Sequence, residues 1–442
     1  MNRVKVFYCA GAVGFALFWL ILVVGGLTDV QTATAVANPS QRPHDPVIVS
    51  GADLPAFDQV PINELRLYTY DGLDWQPIPM QIDERVVVSN TAVYTTFEDG
   101  LLDADDELVF MGHDAGIMAS VTNWVNNAEA RANPRYALAA SDPLQPGEAG
   151  YAYLYHATTL TGSVTSYVAW DHATQTLTGL SYTLSFDPNN FAGVADLHIN
   201  GNPADILDRQ KIRVVVDPPI FPPVTLTEED IPGLLGTPVT VTLPIVGQVR
   251  AIGGDGNNRF AFYGRRSDLH ATFDLDSIQL PIPGTTFEEL RTSFDLNDPS
   301  TTGMTPTLYY DSNTPAGVPV DGSMDPIPPN PLFDWYEISG LSGGFVAIAS
   351  ASAEVGTPTN YYVDESTPNP NDTGDGLSFA DTGAHIADPG GVLTVTQALY
   401  ITSPGVGSQG SLAKDWYDNP LQVAAAAQSF PEGQVYLPFI RR

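Results

Sequence analysis

Six carboxylates crowd into residues 98–107 of this chain: Glu98, Asp99, Asp103, Asp105, Asp106 and Glu107. Like charges this close repel one another unless water or a cation screens them, and calcium takes about six to eight oxygen ligands at once. Aspartates at odd spacing, Asp99, Asp103 and Asp105 with Glu107 closing the run, deliver several oxygens to one point. The stretch is therefore expected to bind Ca2+. It departs from the EF-hand loop, because its glycine and its distant bidentate glutamate are misplaced. The competing expectation is an acidic turn whose aspartates cap backbone amides. Leu101 and Leu102 are expected to plug the core beneath it.

A second acidic turn spans residues 369–376, where Asn371, Asp372 and Asp375 are the candidate ligands and Asp364, Glu365 and Asp381 lie nearby. Asn, Asp and Gly are also what an ordinary β-turn needs, so the metal reading is weaker here. A third, residues 253–258, reads most simply as a hairpin loop. Two catalytic patterns fail on context. Gly340-Leu341-Ser342-Gly343-Gly344 fits G-x-S-x-G, but a strand pattern follows the serine where a nucleophile elbow needs a helix. Residues 405–410 fit G-x-G-x-x-G without a βαβ unit around them. The seven histidines show no paired zinc spacing, although His113 and His156 fall at strand ends where acid–base work is conceivable. Trp75, Trp124, Trp170, Trp335 and Trp416, with the pairs Tyr309-Tyr310 and Tyr361-Tyr362, are candidates for a sugar platform or for core packing.

The elements that must position these groups are strands. Apolar β-type runs at 78–88 and 107–111 flank the first acidic turn, and residues 65–70, the turn Asp71-Gly72 and residues 75–85 read as a hairpin. Further strands are expected at 136–140, 151–156, 163–171, 176–186, 211–216, 239–243, 259–263, 272–280, 335–338, 345–350, 361–364, 392–401 and 435–440. Short helices are expected at 227–235, 286–292 and 411–416, with another between 115 and 135. Residues 297–331 are Pro-rich and read as a surface loop or lid. Many strands, 37 prolines and 39 glycines, with no βαβ alternation, predict an all-β fold: a β-sandwich or supersandwich with a smaller N-terminal β-domain and few helices.

With 18 Lys+Arg against 51 Asp+Glu, the formal net charge is −33. That excludes nucleic acid and anionic membrane surfaces as electrostatic partners and favours divalent cations. Arg3 and Lys5 precede an almost wholly apolar run at 6–27, and small-x-small sites follow at Ala33-Thr34-Ala35 and Ala35-Val36-Ala37. Residues 1–37 thus read as a signal peptide, or as a membrane anchor if uncut. The one cysteine, Cys9, lies inside that segment, so an exported mature chain has no disulfide. The expected organisation continues with a flexible leader at 38–45, an N-terminal β-domain at 46–160, a larger sandwich at 161–430 and a C-terminal strand or tail at 431–442.

The segment W-x-P-I-P-M-Q-I-D-E from Trp75 to Glu84, followed by D-G-L-L-D-A-D-D-E-L-V-F-M from Asp99 to Met111, resembles a module of uncharacterised secreted bacterial β-proteins. More loosely, the order P-x-Q-I-D … D-G-x-x-D-x-D-D-E-L-V-F is similar to supersandwich families such as galactose mutarotases and polysaccharide lyases. The closer resemblance covers roughly residues 65–156 and carries over no catalytic residue. The tail V-Y-L-P-F-I-R-R at 435–442 is similar to short tails that end some secreted bacterial proteins, which implies sorting or surface retention; a final edge strand is the equal alternative. Together these features lead to the expectation of a secreted or cell-surface, calcium-binding, non-enzymatic envelope protein that binds glycans. The alternatives are a carbohydrate-active enzyme of supersandwich fold and a self-assembling surface-layer subunit.

Overall fold

A computed structural model describes residues 42–88, 91–96, 98–147, 149–187, 194–230, 241–254, 259–278, 280, 282–314, 316–404 and 408–431. They form two compact units, residues 42–166 with 419–431 and residues 167–418. The chain is mostly strand, in several antiparallel sheets, as an all-β sandwich requires.

The smaller unit begins with β1 (Pro46–Ser50), β2 (Leu65–Tyr70), β3 (Trp75–Pro77), β4 (Gln81–Asp83), β5 (Arg85–Val88), β6 (Thr91–Tyr94), β7 (Glu107–Met111), β8 (Arg135–Ser141) and β9 (Ala149–His156). The hairpin β2–β3 turns at Asp71–Asp74, where Asp71 Oδ1 accepts from the amides of Leu73 and Asp74. Alternation decides what each face buries. Tyr136, Leu138 and Ala140 of β8, with Ala152 and Leu154 of β9, meet Val47, Val49, Leu102, Leu108 and Phe110 in one core. The residues between them, Ala137, Tyr153 and Tyr155, pack with Trp124 on the opposite face.

The larger unit holds β10 (Ala169–Asp171), β11 (Thr176–Thr178), β12 (Tyr182–Phe186), β13 (Val194–Ile199), β14 (Leu207–Asp217), β15 (Val224–Thr227), β16 (Ile245–Val246), β17 (Arg250–Gly254), β18 (Arg259–Tyr263), β19 (Arg266–Asp274), β20 (Thr286–Leu296), β21 (Thr307–Tyr310), β22 (Val318–Pro319), β23 (Trp335–Ser339), β24 (Gly344–Val355), β25 (Pro358–Glu365), β26 (Ser378–Ala387) and β27 (Gly390–Thr402). A five-stranded sheet runs β15-β14-β20-β26-β25, and a nine-stranded sheet runs β16-β17-β18-β19-β27-β24-β23-β21-β22. Ile212, Val214, Leu290, Phe294 and Ile386 of the first share a single apolar core with Phe262, Leu269, Ile338, Phe345 and Leu399 of the second. The opposite face of the five-stranded sheet is polar and carries the second carboxylate cluster described below.

The chain then returns to the smaller unit as β28 (Gln422–Gln428), which pairs with β8 at the edge of the sheet β28-β8-β9-β2-β3. Residues 419–428 thus lie outside the larger sandwich to which 161–430 was assigned. Residues 42–45 are not a loose leader. Arg42 is fully buried, with Nε 2.6 Å from Asp45 Oδ2 and Nη1 2.9 Å from Asp142 Oδ1.

Two further expectations are corrected. Residues 286–292, read as a helix, form the first half of β20. Glu288-Glu289-Leu290-Arg291 favours a helix only weakly, and hydrogen bonding to β14 on one side and β26 on the other outweighs it. Residues 297–331, read as an ordered surface loop or lid without a strand pattern, include the strands β21 and β22 and the helix Pro299–Thr302. The helix expected at 411–416 is present as Gly410–Asp418, and the one between 115 and 135 as Ala128–Ala132. Residues 1–41, 231–240, 255–258, 405–407 and 432–442 lie outside the described residues, and with them the signal segment, most of the 227–235 helix and the C-terminal tail. Among the described residues no helix is long and apolar enough to cross a membrane.

Candidate functional site: two carboxylate clusters

The first acidic turn leads into β7 and is fastened mainly by backbone amides. Asp106 is fully buried; its Oδ1 accepts from the Arg85 amide at 3.1 Å and its Oδ2 from the Asp103 amide at 3.0 Å. Asp99 Oδ1 accepts from the Leu101 amide at 2.8 Å, and Asp103 Oδ1 from the Asp105 amide at 3.4 Å. Glu107 lies 2.6 Å from Arg85 Nη1 and accepts from the Tyr94 hydroxyl at 2.7 Å. Of the two leucines expected to plug the core, Leu102 is fully buried beneath the turn and Leu101 only half-buried. The loop also lies hard against Gly51, where a Cβ would come 1.7 Å from the Asp103 carbonyl oxygen.

Those amides do not neutralise the charge. Glu98 is pushed up to about 7, first by burial and then by the charges of Asp106, Asp103, Asp105 and Glu84. Asp103, hydrogen-bonded to the Asp105 carboxyl, is pushed up to about 6, with burial and Asp106 adding to the rise. Burial raises Asp106 as well. Glu98 Oε2 is buried without a hydrogen-bond partner among the described residues. Glu84, Glu98, Asp103, Asp105 and Asp106 thus repel one another across this turn. Among the described residues no group of three or more His, Cys, Asp or Glu is spaced so that it could hold a metal ion.

The second acidic turn closes on itself and then onto the five-stranded sheet. Asn369 N donates to the Gly376 carbonyl at 2.8 Å, Asn371 N to Asn369 Oδ1 at 3.0 Å, and Leu377 N to Asp375 Oδ1 at 2.7 Å. Of its candidate ligands, Asp372 is committed to protein cations: Oδ2 lies 2.8 Å from Lys211 Nζ and Oδ1 2.7 Å from Arg213 Nη2. Burial opposes the Asp372 charge, but Lys211 holds its carboxyl below the usual range. Arg213 also reaches Glu228 at 2.5 Å, and the Thr373 hydroxyl donates to Glu228. Lys211, with its side chain fully buried, is 2.6 Å from Asp295 and 3.9 Å from Asp381. Asp208, which accepts from the Asp375 amide, is pushed up to about 6 by burial and by the Asp375 charge.

Sequence reasoning found Asp372 and placed Asp381 near it, but missed Lys211, Arg213, Glu228 and Asp295. A signal was available: Lys211 is one of three lysines in the chain and falls inside the strand pattern R-Q-K-I-R-V-V-V.

The remaining candidates are packed into the fold. His156 Nε2 is 2.8 Å from Glu64 Oε2, and His113 Nε2 is 3.7 Å from Asp114 Oδ1. Ser342 lies on the β23–β24 hairpin, followed at once by strand, which fits the rejection of a nucleophile elbow. Trp124 and Trp335 are buried, Trp75 packs edge-on against Tyr153 at 5.0 Å, and Trp170 against Phe186 at 5.9 Å. A cleft in the larger unit, lined by Tyr310, Tyr336, Tyr361 and Tyr362, has room for about one water molecule.

No family model matches this chain, and no curated protein matches it. Among solved structures it is similar to an alpha-mannosidase from Enterococcus faecalis, at 10% identity and a TM-score of 0.38, over 88% of this chain and 45% of that one. The chain therefore spans less than half the length of that protein, and no residue role is taken from it.

Proposed function

We propose that this chain is an exported β-protein of the cell surface or extracellular space that acts by binding, and that the 98–107 turn is its site for a hard divalent cation, calcium in the first instance. The observation that carries this reading is the crowding of Glu84, Glu98, Asp103, Asp105 and Asp106 about one turn, where burial and then the neighbouring charges push Glu98 up to about 7, and the Asp105 hydrogen bond and then burial push Asp103 up to about 6. A cation there relieves a repulsion that the folded chain otherwise carries, and carboxylates are the ligands calcium prefers. The export signal and the chain's acidic balance support the same reading.

The test is thermal unfolding of the full chain at pH 7 with excess calcium and then with a chelator. A site that binds only the folded state adds about 2.7 kcal/mol when calcium stands at a hundredfold excess over its dissociation constant, a shift of several degrees. The shift should vanish in Asp103→Ala and Asp105→Ala. Identical melting with calcium and chelator would sink the proposal and leave an acidic turn capped by its own amides.

A further inference from the structure

Lys211 and Asp295 meet in a way that an ordinary ion pair does not need. β14 and β20 are adjacent strands, Lys211 faces Ser293 in register, and Asp295 stands two residues further along β20. Both side chains are fully out of water, and Nζ lies 2.6 Å from Asp295 Oδ2. That oxygen nonetheless has no hydrogen-bond partner among the described residues, so the approach is not along the direction a hydrogen bond takes. The other oxygen, Oδ1, accepts from the Phe379 amide at 2.7 Å. Asp372 offers the contrast: its Oδ2 takes a directed hydrogen bond from Nζ at 2.8 Å, and its Oδ1 pairs with Arg213.

A third group completes the arrangement. Asp381 of β26 is 1% exposed and lies 3.9 Å from Nζ, and neither of its oxygens accepts a hydrogen bond from a described residue. The strand is kinked just before it: Ala380, fully buried, has a φ of 45°, a left-handed conformation uncommon for alanine. The neighbouring arginines are engaged elsewhere. Arg209, opposite Asp295 in register, pairs with Glu229; Arg213 is shared between Glu228 and Asp372; Arg291 lies 4.3 Å over the Tyr361 ring. With one cysteine in 442 residues, the chain cannot close a disulfide within itself.

We propose that Lys211 and Asp295 condense in the folded chain to an isopeptide bond between Nζ and Cγ, tying β14 to β20, with Asp381 as the proton carrier. An ammonium among three carboxylates is no nucleophile, so the first step is transfer of one Nζ proton to Asp381. The freed lone pair attacks Asp295 Cγ, one C–O bond beyond the oxygen that Nζ already touches. The carbonyl electron pair moves onto Oδ1, where the Phe379 amide stabilises the charge. A second Nζ proton passes to Oδ2, the proton held by Asp381 follows it, and Oδ2 leaves as water while the Oδ1 pair re-forms the carbonyl. One ammonium and one carboxylate become one amide and one water, Asp381 ends as it began, and no other reactant is needed. Fixing both reactants in a buried contact supplies the high effective concentration that so poor an acyl donor requires.

The experiment is mass spectrometry of the full chain, purified and then fully unfolded. The expected mass is one water below that of the sequence counted from the N-terminus found, and digestion should yield the Lys211 and Asp295 peptides joined to each other. Lys211→Arg and Asp381→Ala should both restore the full mass and leave the two peptides separate. A wild-type chain of full mass with separate peptides overturns the proposal. So does a missing water without joined peptides, since an aspartate can also lose water to its own backbone. A cross-link that survives in Asp381→Ala overturns the role given to Asp381. Should a variant fail to fold, the wild-type digest decides alone.

Discussion

Asp106 and Asp295 are both fully buried carboxylates, yet the fold holds them by different means. Asp106 takes two backbone amides, from Arg85 and Asp103, both supplied close to its own turn. Asp295 takes one amide, from Phe379, and the ammonium of Lys211, brought from other strands. Amides supply dipoles and leave the net charge standing, so the first turn keeps its repulsion and with it an appetite for a cation. In the second cluster Lys211 and Arg213 already occupy the place a metal would take, which is why Asp372, drawn in sequence as a metal ligand, is spoken for. A run of acids marks a cation site only where the fold has not brought its own cations to it.

The widest gap between the two regions should appear on removing a cation. Lys211→Met leaves Asp295 and Asp381 without the one ammonium near them among the described residues, and breaking a buried ion pair from one side costs about 3–5 kcal/mol. Urea unfolding followed on the larger unit should show that loss at pH 7. Lys211→Met with Asp295→Leu should recover part of it, because apolar replacement of a whole buried pair is often nearly neutral. Equal losses in the single and double variants would mean that Lys211 stabilises by packing or by its bond to Asp295 rather than by charge.

The contrast also explains what the sequence made legible. The first turn is mostly local: apart from Glu84, which sequence reasoning missed, its carboxylates, its glycine and Leu102 lie within ten residues, so composition alone locates it. The second cluster is assembled from residues 208 to 381 by pairing of β14, β20 and β26, and no local pattern reports that. β26 reads S-F-A-D-T-G-A-H-I-A, poor in strand-forming residues, and becomes a strand because β20 and β25 flank it. The all-β class was plain from turn chemistry and spacing. The return of the chain as β28 was not, since its Val-Ala-Ala-Ala-Ala core carries no strong pattern.

A medium effect is expected at the base of the first turn. Asp106→Ala strips two amides of their acceptor beneath a closed loop, which costs about 1–3 kcal/mol. Asp106→Asn keeps one acceptor and should cost less. Urea unfolding of the smaller unit measures both, and an alanine variant as stable as the wild type would mean that water replaces the carboxylate freely.

The smallest effect is the most discriminating, because its sign should reverse. Glu98 at about 7 and Asp103 at about 6 lie above their ordinary values of 4.5 and 3.8. The unfolded chain therefore ionises first, and the smaller unit should lose stability as pH rises from about 4 to about 7. Both groups are only half-buried, so the loss is modest and salt-sensitive. Glu98→Gln removes one repelling charge and should raise the melting temperature of the smaller unit slightly at pH 8 in chelator. In excess calcium the same substitution removes a ligand and should lower it. A variant that melts higher in both solutions would show that Glu98 only repels its neighbours, and the first turn would then differ from the second merely in lacking a lysine.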